Sequence, residues 1–376
     1  MERQYRICTR CVMDTSDPLI EFDERGVCNH CTAMLARMRS VVDLDPARLE
    51  ATLAQVKREG RKKRYDCVLG VSGGVDSTYL AYLARGFGLR VLAVHLDNGW
   101  NSELAVKNIE QALNKLGIDL YTKVLDWEMF RDLQLAFLKS STPDCEIPTD
   151  HAIHALLYRT ASREGVRYIL QGMNMRTEGI MPASWTSGAY DWRYIKAVHR
   201  RFGSVPLGDF PHFTLRDRLV NFAVRRLRVL CLLNNVDYTK QKAMAVLRDE
   251  LGWKDYPTKH GESIYTRFYQ SYILPRKFGI DKRRAHLSCL VVSGQLARDA
   301  ALEQLAHDPY LPDMLAFERE YVIKKLGLSE REFERIMAAP PRTRREYPNS
   351  ESLIHAIGLA IRLGRRMRLV PATTGL

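Results

Sequence analysis

Short apolar runs alternate with amphipathic stretches between residues 65 and 172, and this alternation limits the fold more than any other feature. Four runs have the length and composition of buried strands, at residues 67–71, 90–96, 120–125 and 168–171. The stretches between and before them have helical periodicity, at residues 76–87, 102–116, 127–140 and 150–164. Repeated strand–helix units form parallel sheets with helices on both faces. The sequence therefore predicts an α/β fold with a doubly wound parallel sheet.

The rest of the 376-residue chain divides into regions of different character. Residues 1–40 hold four of the eight cysteines and predict a small metal-binding module, and residues 41–64 predict a helical connector. The sheet domain is expected at residues 65–211. Beyond it the strand signal is lost, and residues 212–376 predict a helical C-terminal region, with helices at 215–233, 240–251, 262–278 and 285–306.

The glycine-rich segment Ser72-Gly73-Gly74-Val75-Asp76-Ser77 joins the first predicted strand to the first predicted helix. Such a junction binds anions, because glycines let backbone amides approach closely and the helix dipole adds positive potential. An acid at this position would repel phosphate unless a cation lay between them. Asp76 is therefore predicted to hold Mg²⁺ against the phosphates of a nucleotide. The segment lacks the G-x-x-x-x-G-K-[ST] pattern, so it is not the ordinary P-loop.

Two C-x2-C pairs, Cys8/Cys11 and Cys28/Cys31, are separated by 16 residues. This spacing is typical of zinc sites in which two thiolate pairs complete a tetrahedron. A module of this length buries little hydrophobic core. We therefore expect the metal to supply its folding energy, in a closed, structural site. A redox or iron–sulfur role and unmetallated thiols are the alternatives. His30 lies inside the second pair and is expected to be a bystander.

The charge and hydrophobicity of the chain favour some classes of binding partner without identifying one. The net charge of +13 favours an anionic partner, which nucleic acid, ATP, a nucleotide sugar or a membrane surface would each satisfy. No stretch approaches 18 uninterrupted apolar residues, and the N-terminus lacks the apolar core of a secretory signal. We therefore expect a cytoplasmic protein with reduced thiols and no membrane insertion.

The glycine-rich segment after its strand resembles the PP-loop motif of the ATP pyrophosphatases, whose fold is adenine nucleotide alpha hydrolase-like. That superfamily includes GMP synthetase, NAD synthetase, asparagine synthetase and tRNA-thiolating enzymes. Its members transfer AMP from ATP to a substrate oxygen and hold the released pyrophosphate in this loop. The resemblance implies that ATP or pyrophosphate is bound by Val71, Ser72, Gly73, Gly74, Val75, Asp76, Ser77, Asp97, Asn98, Gln171, Gly172 and Asn174.

Further segments resemble the N-acetyl sugar amidotransferases of bacterial surface-polysaccharide synthesis. They are the opening C-T-R-C-V-M-D-T-S-D-P, T-P-D-C-E-I-P-T-D at residues 142–150, K-H-G-E-S at 259–263 and S-G-Q at 293–295. The resemblance spans about residues 5–310. It implies an enzyme of lipopolysaccharide O-antigen synthesis that adenylates the acetamido oxygen of a nucleotide-activated sugar. Ammonia-derived nitrogen then replaces that oxygen to give an acetamidino sugar, with AMP and pyrophosphate released.

The catalytic candidates are Asp76, Asp150 and Glu262. Asp150 and Asp144 flank prolines in one loop and are candidates for a second cation or a substrate contact. Glu262, with Ser263, is implied by the resemblance and could instead cap the following helix. On the helix predicted at 150–164, His154, Tyr158 and Arg159 could face substrate, although ordinary helix packing is the favoured interpretation.

The source of ammonia is expected to lie outside this chain, because no glutaminase signature is present. The resemblance points to a separate glutaminase subunit like that of imidazole glycerol phosphate synthase, with or without a cyclase-like subunit. The basic surface would suit a nucleotide-sugar uronate.

The main alternative is a tRNA-thiolating PP-loop enzyme, which would also explain the positive charge and the cysteine pairs. Such enzymes use reactive cysteines near the site, but those outside the N-terminal module are widely spaced: Cys67, Cys145, Cys231 and Cys289. Cys67 on a predicted strand and Cys231 on a predicted helix are expected in the core. Cys145 is the one candidate nucleophile. The amidotransferase, without a nucleic-acid partner, is therefore favoured.

Overall fold

A computed structural model of the chain describes residues 4–186, 188–256, 261–310 and 312–366, with side chains to residue 359. Lys259 and His260 of the K-H-G-E-S segment lie outside these ranges. Within them, the sheet has five parallel strands in the order β3-β2-β1-β4-β5. The strands are β1 (Cys67–Gly70), β2 (Val91–Asp97), β3 (Asp119–Val124), β4 (Tyr168–Leu170) and β5 (Arg228–Leu230).

The strand order reverses beside β1. The chain adds β2 and then β3 on one side of β1, and later returns to place β4 and β5 on the other side. The central strand is in register with both neighbours, since Val68 pairs with Leu92 of β2 and with Ile169 of β4. In open parallel sheets, ligands bind at the carboxyl ends of the strands where the order reverses. A ligand site is therefore expected at the segments that follow β1 and β4.

Among the helices up to residue 202, those predicted at 76–87, 102–116, 127–140 and 150–164 and the helical connector agree with the structure to within a few residues, whereas the helices at residues 29–41, 175–178 and 192–202 were not predicted. Local signals explain the boundaries: Ser102 caps one helix by accepting from the Ala105 amide at 3.2 Å, and Gly117 ends it with a φ of 60°. These helices are α1 (Asn29–Val41), α2 (Pro46–Gly60), α3 (Val75–Gly86), α4 (Glu103–Leu116), α5 (Trp127–Ser140), α6 (Ile147–Arg163), α7 (Met175–Glu178) and α8 (Trp192–Phe202).

The C-terminal region is helical, as predicted. Its helices are α9 (Leu215–Leu219), α10 (Lys240–Leu251), α11 (Ile264–Phe268), α12 (Lys282–Val292), α13 (Arg298–Ala306), α14 (Pro312–Leu326), α15 (Glu330–Ala338) and α16 (Glu351–Arg366). Two wider, π-helical segments continue α9 and α11, at Val220–Val224 and Tyr269–Phe278. Short 3₁₀ turns lie at Leu232–Asn235 and Arg344–Glu346.

Two helix predictions in this region are wrong. The helix expected at residues 215–233 ends early, Arg226 adopts a φ of 56°, and β5 then joins the sheet. Three half-buried residues at a sheet edge are too few to give a strand periodicity. Consequently Cys231 lies just after a strand and is half-buried, not on a helix. The helix expected at 285–306 is interrupted between α12 and α13, where Gly294 has a φ of 76°.

Hydrophobic clusters cover both faces of the sheet. Alternate residues of a strand point to opposite faces, so Val68 and Ile169 belong to one cluster while Leu69 and Leu170 belong to the other. Cys67 is fully buried in the second cluster, as its predicted core position requires. No helix in the described ranges is both long enough and apolar enough to cross a membrane.

Candidate functional site

The four cysteines of the N-terminal module converge. Their Sγ atoms all lie within 4.8 Å of one another, with 3.9 Å between Cys8 and Cys31 and 3.7 Å between Cys11 and Cys28. A tetrahedron of thiolates with Zn–S bonds of about 2.3 Å has sulfur–sulfur separations of about 3.8 Å. All four side chains are fully buried. The donor set therefore fits a closed, structural zinc site.

The module is fixed to the C-terminal helices. Arg298 of α13 donates hydrogen bonds to the Cys8 carbonyl at 2.8 Å and the Cys11 carbonyl at 3.0 Å. His30 is not part of the sulfur cluster, because its Nε2 lies 2.7 Å from the buried Asp17 carboxylate. It acts as the bystander that the sequence suggested. The hydrogen bonds of Arg298 attach the module to the C-terminal region.

The predicted phosphate loop lies between β1 and α3. Gly73 adopts a φ of 82°, a conformation that favours glycine, and Gly74 is the N-cap of α3. The loop is closed by hydroxyl contacts: Ser72 N donates to Ser77 Oγ at 3.2 Å, and Gly74 N lies 3.3 Å from Ser72 Oγ. A glycine turn at the start of a 12-residue helix is a favourable anion site.

A cleft of about 420 Å³ opens over this loop. Its walls come from the loop, from the segment after β4, and from residues 240–256 and 262 of the helical region. The lining residues are Ser72, Gly74, Val75, Asp76, Ser77, Gly172, Met173, Glu178, Lys240, Met244, Trp253, Tyr256 and Glu262. Val71 is buried beneath the loop, where its amide bonds to the Val94 carbonyl at 2.9 Å.

Three aromatic residues that the sequence analysis missed hold the loop in place. Trp253 Nε1 and the Tyr256 hydroxyl both donate to the Gly73 carbonyl, at 3.0 and 2.9 Å. The Tyr238 hydroxyl donates to Asp76 Oδ1. Burial and the Asp76 charge raise the pKa of Tyr238, so its hydroxyl keeps its proton. Isolated aromatic residues in a helical region carry no sequence signal of a contact with a distant loop.

Lys240 is a further missed residue, and it brings a positive charge to the cleft. It is the first residue of α10, and its backbone amide lies 3.4 Å from Gln295 Oε1. Gln295 in turn donates to Ser293 Oγ at 3.2 Å. The S-G-Q segment singled out in the sequence therefore positions the start of α10 and, through it, Lys240.

Gly172 packs directly on the loop. A Cβ atom at this position would lie 2.8 Å from Ser77 N and 3.0 Å from the Asp76 carbonyl carbon. Only a glycine permits that approach. Gln171, just before it, lies with its Nε2 3.3 Å from His154 Nδ1. The structure thus brings Gly172 to the loop, whereas the Gln171 side chain contacts His154, and the contact of either residue with ATP stays a prediction.

Other predicted nucleotide contacts have structural partners of their own. Asp97 accepts from the Gly99 amide at 2.8 Å, and Asn98 donates to Thr149 Oγ1 at 3.2 Å, so both shape the turn after β2. Asn174 is buried and caps α7 by accepting from the Thr177 amide at 3.0 Å. Their contact with ATP stays a prediction.

Glu262 and Ser263 have separate roles. The Glu262 side chain lines the cleft, 3.5 Å from the position of a Cβ on Gly74. Ser263 caps α11, with its Oγ 3.3 Å from the Thr266 amide. The alternative of a helix cap therefore applies to Ser263, and Glu262 faces the phosphate loop.

Asp150 belongs to a group of acids at the start of α6. Its side chain has solvent access, yet the surrounding protein still desolvates the carboxylate. That desolvation, followed by the charges of Asp144 and Glu146, raises the pKa of Asp150 to about 8. Glu178, which lines the phosphate cleft, also raises it, whereas Lys282 lowers it. Asp150 thus lies close enough to the cleft to sense its charge.

Asp144 and Cys145 are less accessible than the sequence suggested. Asp144 is buried, accepts a hydrogen bond from Thr186 Oγ1, and has a pKa raised by burial. Cys145 is 1% exposed, and burial raises its thiol pKa to about 12. A buried thiol that keeps its proton is a poor nucleophile. This placement weakens the case for Cys145 as a sulfur carrier.

The three candidate residues on α6 lie in different environments. Tyr158 is buried in the core, and Arg159 bonds to the His212 carbonyl at 2.9 Å on the surface, as ordinary helix packing predicts. His154 instead contacts two side chains near the sheet edge, Gln171 and Tyr190. Burial, and then the charge of Arg218, lower the pKa of His154 to about 4.

Comparison with known proteins adds two family matches. Residues 262–362 match the family described as LPS biosynthesis protein WbpG-like, C-terminal domain. Residues 48–133, from α2 into α5, match the NAD synthase family. The first match begins at the residue that faces the phosphate loop, and the second contains the loop itself. The sheet with its loop after β1 is therefore a PP-loop fold of the NAD synthase kind.

Two individual proteins are similar to parts of this chain or to its fold. A tRNA(Ile)-lysidine synthase of Chlamydia pneumoniae is 39% identical over 77 residues, which are 19% of this chain and 24% of the relative. The match thus spans about a quarter of that curated protein. The solved NMN synthetase of Francisella tularensis is 17% identical, with a TM-score of 0.36 and coverage of 76% of this chain and 98% of that one. A structural similarity this weak supports no inference about the present chain.

Proposed function

We propose, from the premise that this chain is a WbpG-like PP-loop enzyme of polysaccharide biosynthesis, that it is an ATP-dependent amidotransferase acting on a nucleotide-activated N-acetyl sugar. The acetamido oxygen attacks the α-phosphorus of ATP, and pyrophosphate leaves. Ammonia then attacks the activated carbon, and AMP departs with the oxygen, leaving an acetamidino group. The observation that carries the proposal is the meeting of Glu262, at the start of the WbpG-like domain, with the phosphate loop.

The chain's own residues account for the handling of pyrophosphate. We expect the loop amides at the start of α3, with the Ser72 and Ser77 hydroxyls that close the loop, to donate to the pyrophosphate. Lys240, across the cleft, adds a cation where negative charge grows as the α–β bond breaks. Trp253 and Tyr256 donate to the Gly73 carbonyl, so this electron-rich oxygen in the loop is already hydrogen-bonded.

Asp76 is the residue we expect to hold Mg²⁺. Its carboxylate lines the cleft and has one oxygen positioned by Tyr238, which suits a hard cation that prefers oxygen ligands. When bound, the cation would screen the phosphate charge from the acids of the cleft. Glu178 and Glu262 line the same cleft, and a cation would lessen their repulsion of ATP as well.

The second substrate would enter beside the acids at the start of α6. Asp150, whose pKa is raised to about 8, gains and loses its proton close to neutral pH, which makes it the candidate general acid–base group for the ammonia step. The ammonia would come from a separate glutaminase subunit, with or without a cyclase-like subunit, because this chain has no glutaminase signature. The zinc module would fold the N-terminus and brace the C-terminal helices.

A tRNA-modifying PP-loop enzyme is the second candidate, supported by the segment shared with tRNA(Ile)-lysidine synthase. It would bind nucleic acid with a steep salt dependence, since each phosphate contact releases counterions. A thiolating enzyme would need an accessible cysteine near the site, and Cys145 is buried. This burial favours the amidotransferase.

The test combines the purified chain with ATP, Mg²⁺, isotope-labelled ammonium and a panel of nucleotide sugars. We expect AMP and pyrophosphate together with a sugar in which NH replaces O and carries the label. ADP and phosphate as products would contradict the PP-loop chemistry. AMP formation that needs tRNA, with no sugar product, would favour the second candidate. Glutamine alone should not support the reaction without a partner subunit.

A further inference from the structure

A line of polar side chains leads away from the phosphate loop along the carboxyl edge of the sheet. It begins at Gln171, whose neighbour Gly172 packs on Ser77. Gln171 Nε2 lies 3.3 Å from His154 Nδ1, and His154 Nε2 lies 3.1 Å from the Tyr190 hydroxyl. The two rings are 4.8 Å apart at their centroids. The line therefore ends in an aromatic ring that contacts the His154 side chain.

Arg218 lies on that ring. Its guanidinium carbon is 4.6 Å from the Tyr190 ring centroid, a cation–π geometry. The Arg218 Nε atom is buried and has no hydrogen bond partner in the described part of the chain. The adjacent carboxylate of Asp217 is occupied by Thr214, whose amide and hydroxyl both lie 2.8 Å from it. The Arg218 guanidinium is thus positioned by stacking on the Tyr190 ring, while its Nε donor has no hydrogen bond partner among the described residues.

An unsatisfied, buried donor on a charged group is costly, so a native structure that keeps one usually supplies a partner. The groups that face Arg218 do not neutralise it: His154 is neutral near pH 7 and Tyr158 and Tyr190 keep their protons. Asp150 is close enough to act on Tyr190, but its own pKa is raised to about 8. A substrate anion would satisfy this site.

We propose that Arg218 binds an anionic group, a carboxylate or a phosphate, of the substrate that receives AMP. This inference rests on the proposed function and deepens it, because it names a specificity residue outside the phosphate cleft. Tyr190, His154 and Gln171 position the guanidinium relative to the loop. A planar guanidinium donates two parallel hydrogen bonds to either anion, which an ammonium does not reproduce.

The test compares Arg218→Gln with Arg216→Gln, an exposed arginine on the same short helix that serves as the matched control. Binding is measured by calorimetry with two probes, a uridine diphosphate N-acetyl sugar and its uronate, and separately with ATP. Loss of hydrogen bonds to a charged group should weaken sugar binding about ten- to a hundredfold in Arg218→Gln. ATP binding should change little, and Arg216→Gln should resemble the wild type. Arg218→Lys should restore part of the affinity.

The two probes separate the two anions. A loss confined to the uronate identifies the carboxylate as the group bound, whereas an equal loss for both probes identifies the phosphate. Unchanged sugar affinity in a folded Arg218→Gln protein, or an equal loss for ATP, would overturn the inference. So would wild-type protein that binds neither probe. Labelled product from the wild type together with unchanged affinity in the variant would leave the proposed function standing and remove only the role of Arg218.

Discussion

The Tyr238 hydroxyl donates a hydrogen bond to the Asp76 carboxylate, joining two residues 162 positions apart in the chain. Asp76 lies in the first turn of α3, and Tyr238 lies just before α10. This contact ties the phosphate loop to the C-terminal part of the chain. It also orients one oxygen of the acid that we expect to hold the cation.

The first prediction concerns that pair. Asp76→Asn should lower the rate of AMP formation at least about tenfold, a loss of roughly 1.4 kcal/mol or more of transition-state stabilisation. Tyr238→Phe keeps the carboxylate and should have a smaller effect. Initial rates at saturating ATP measure both, and Tyr82→Phe, a tyrosine on the same helix as Asp76, is the control. A wild-type rate in Asp76→Asn would remove Asp76 from the metal role.

The second prediction concerns the close approach of Gly172 to the loop. Gly172→Ala places a Cβ about 2.8 Å from Ser77 N, so the loop backbone must move. Because misplacement of catalytic groups by about 1 Å can cost roughly a hundredfold in rate, we expect a large loss of turnover with ATP. Gly86→Ala is the matched control, since a Cβ there meets nothing within 4 Å. Equal activity of the two variants would contradict the packing argument.

The third prediction concerns the four buried thiols. Metal analysis should find about one zinc per chain, and Cys11→Ser should reduce solubility or unfold the protein, because binding free energy of the metal is folding free energy. Cys231→Ser, which changes a half-buried cysteine outside the cluster, should behave like the wild type. Fully folded, active protein without metal would show that the cluster has another role.

The fourth prediction separates the amidotransferase from a thiolating enzyme. Cys145→Ser should keep ammonium-dependent AMP formation and lose about 1–2 kcal/mol of stability, as an ordinary buried substitution does. Complete inactivation of a folded Cys145→Ser protein would favour a sulfur carrier. Binding of tRNA at about 200 mM salt, measured in parallel, would point the same way.

The fifth prediction is a pH dependence of stability. His151 is fully buried between Trp192 and Phe213, and burial lowers its pKa to about 4. The unfolded state therefore binds a proton that the folded state excludes, between about pH 6.5 and 4. Stability is complete above the unfolded pKa and falls as the pH drops through this window. The contribution of His151 should be a loss of about 2 kcal/mol between pH 7 and 5.

Thermal or urea unfolding at the two pH values measures this loss. His151→Gln removes the titrating group, so the variant should be less stable than the wild type at pH 7 but should lose less on acidification. A variant whose stability falls as steeply as that of the wild type would assign the pH dependence to other groups.

The amino-acid sequence by itself determined the features that arise from residues close together in the chain. The positions of β1 to β4, the helices between them, the turn at Gly73 and the two cysteine pairs follow from periodicity, glycine conformation and ligand spacing. Such signals depend on residues within one strand, one turn or one helix face. The position of the phosphate loop at the carboxyl edge of a parallel sheet followed from them directly.

Only the tertiary structure decided which distant side chains surround that loop. Tyr238, Lys240 and Trp253 reach it from a region where their local pattern indicates only helix, and Arg218 reaches the same sheet edge from a segment predicted wrongly. Strand β5 was missed because its three residues gain their stability by pairing with β4 rather than from local periodicity. Contacts of this kind depend on packing between elements far apart in the chain, which no local pattern records.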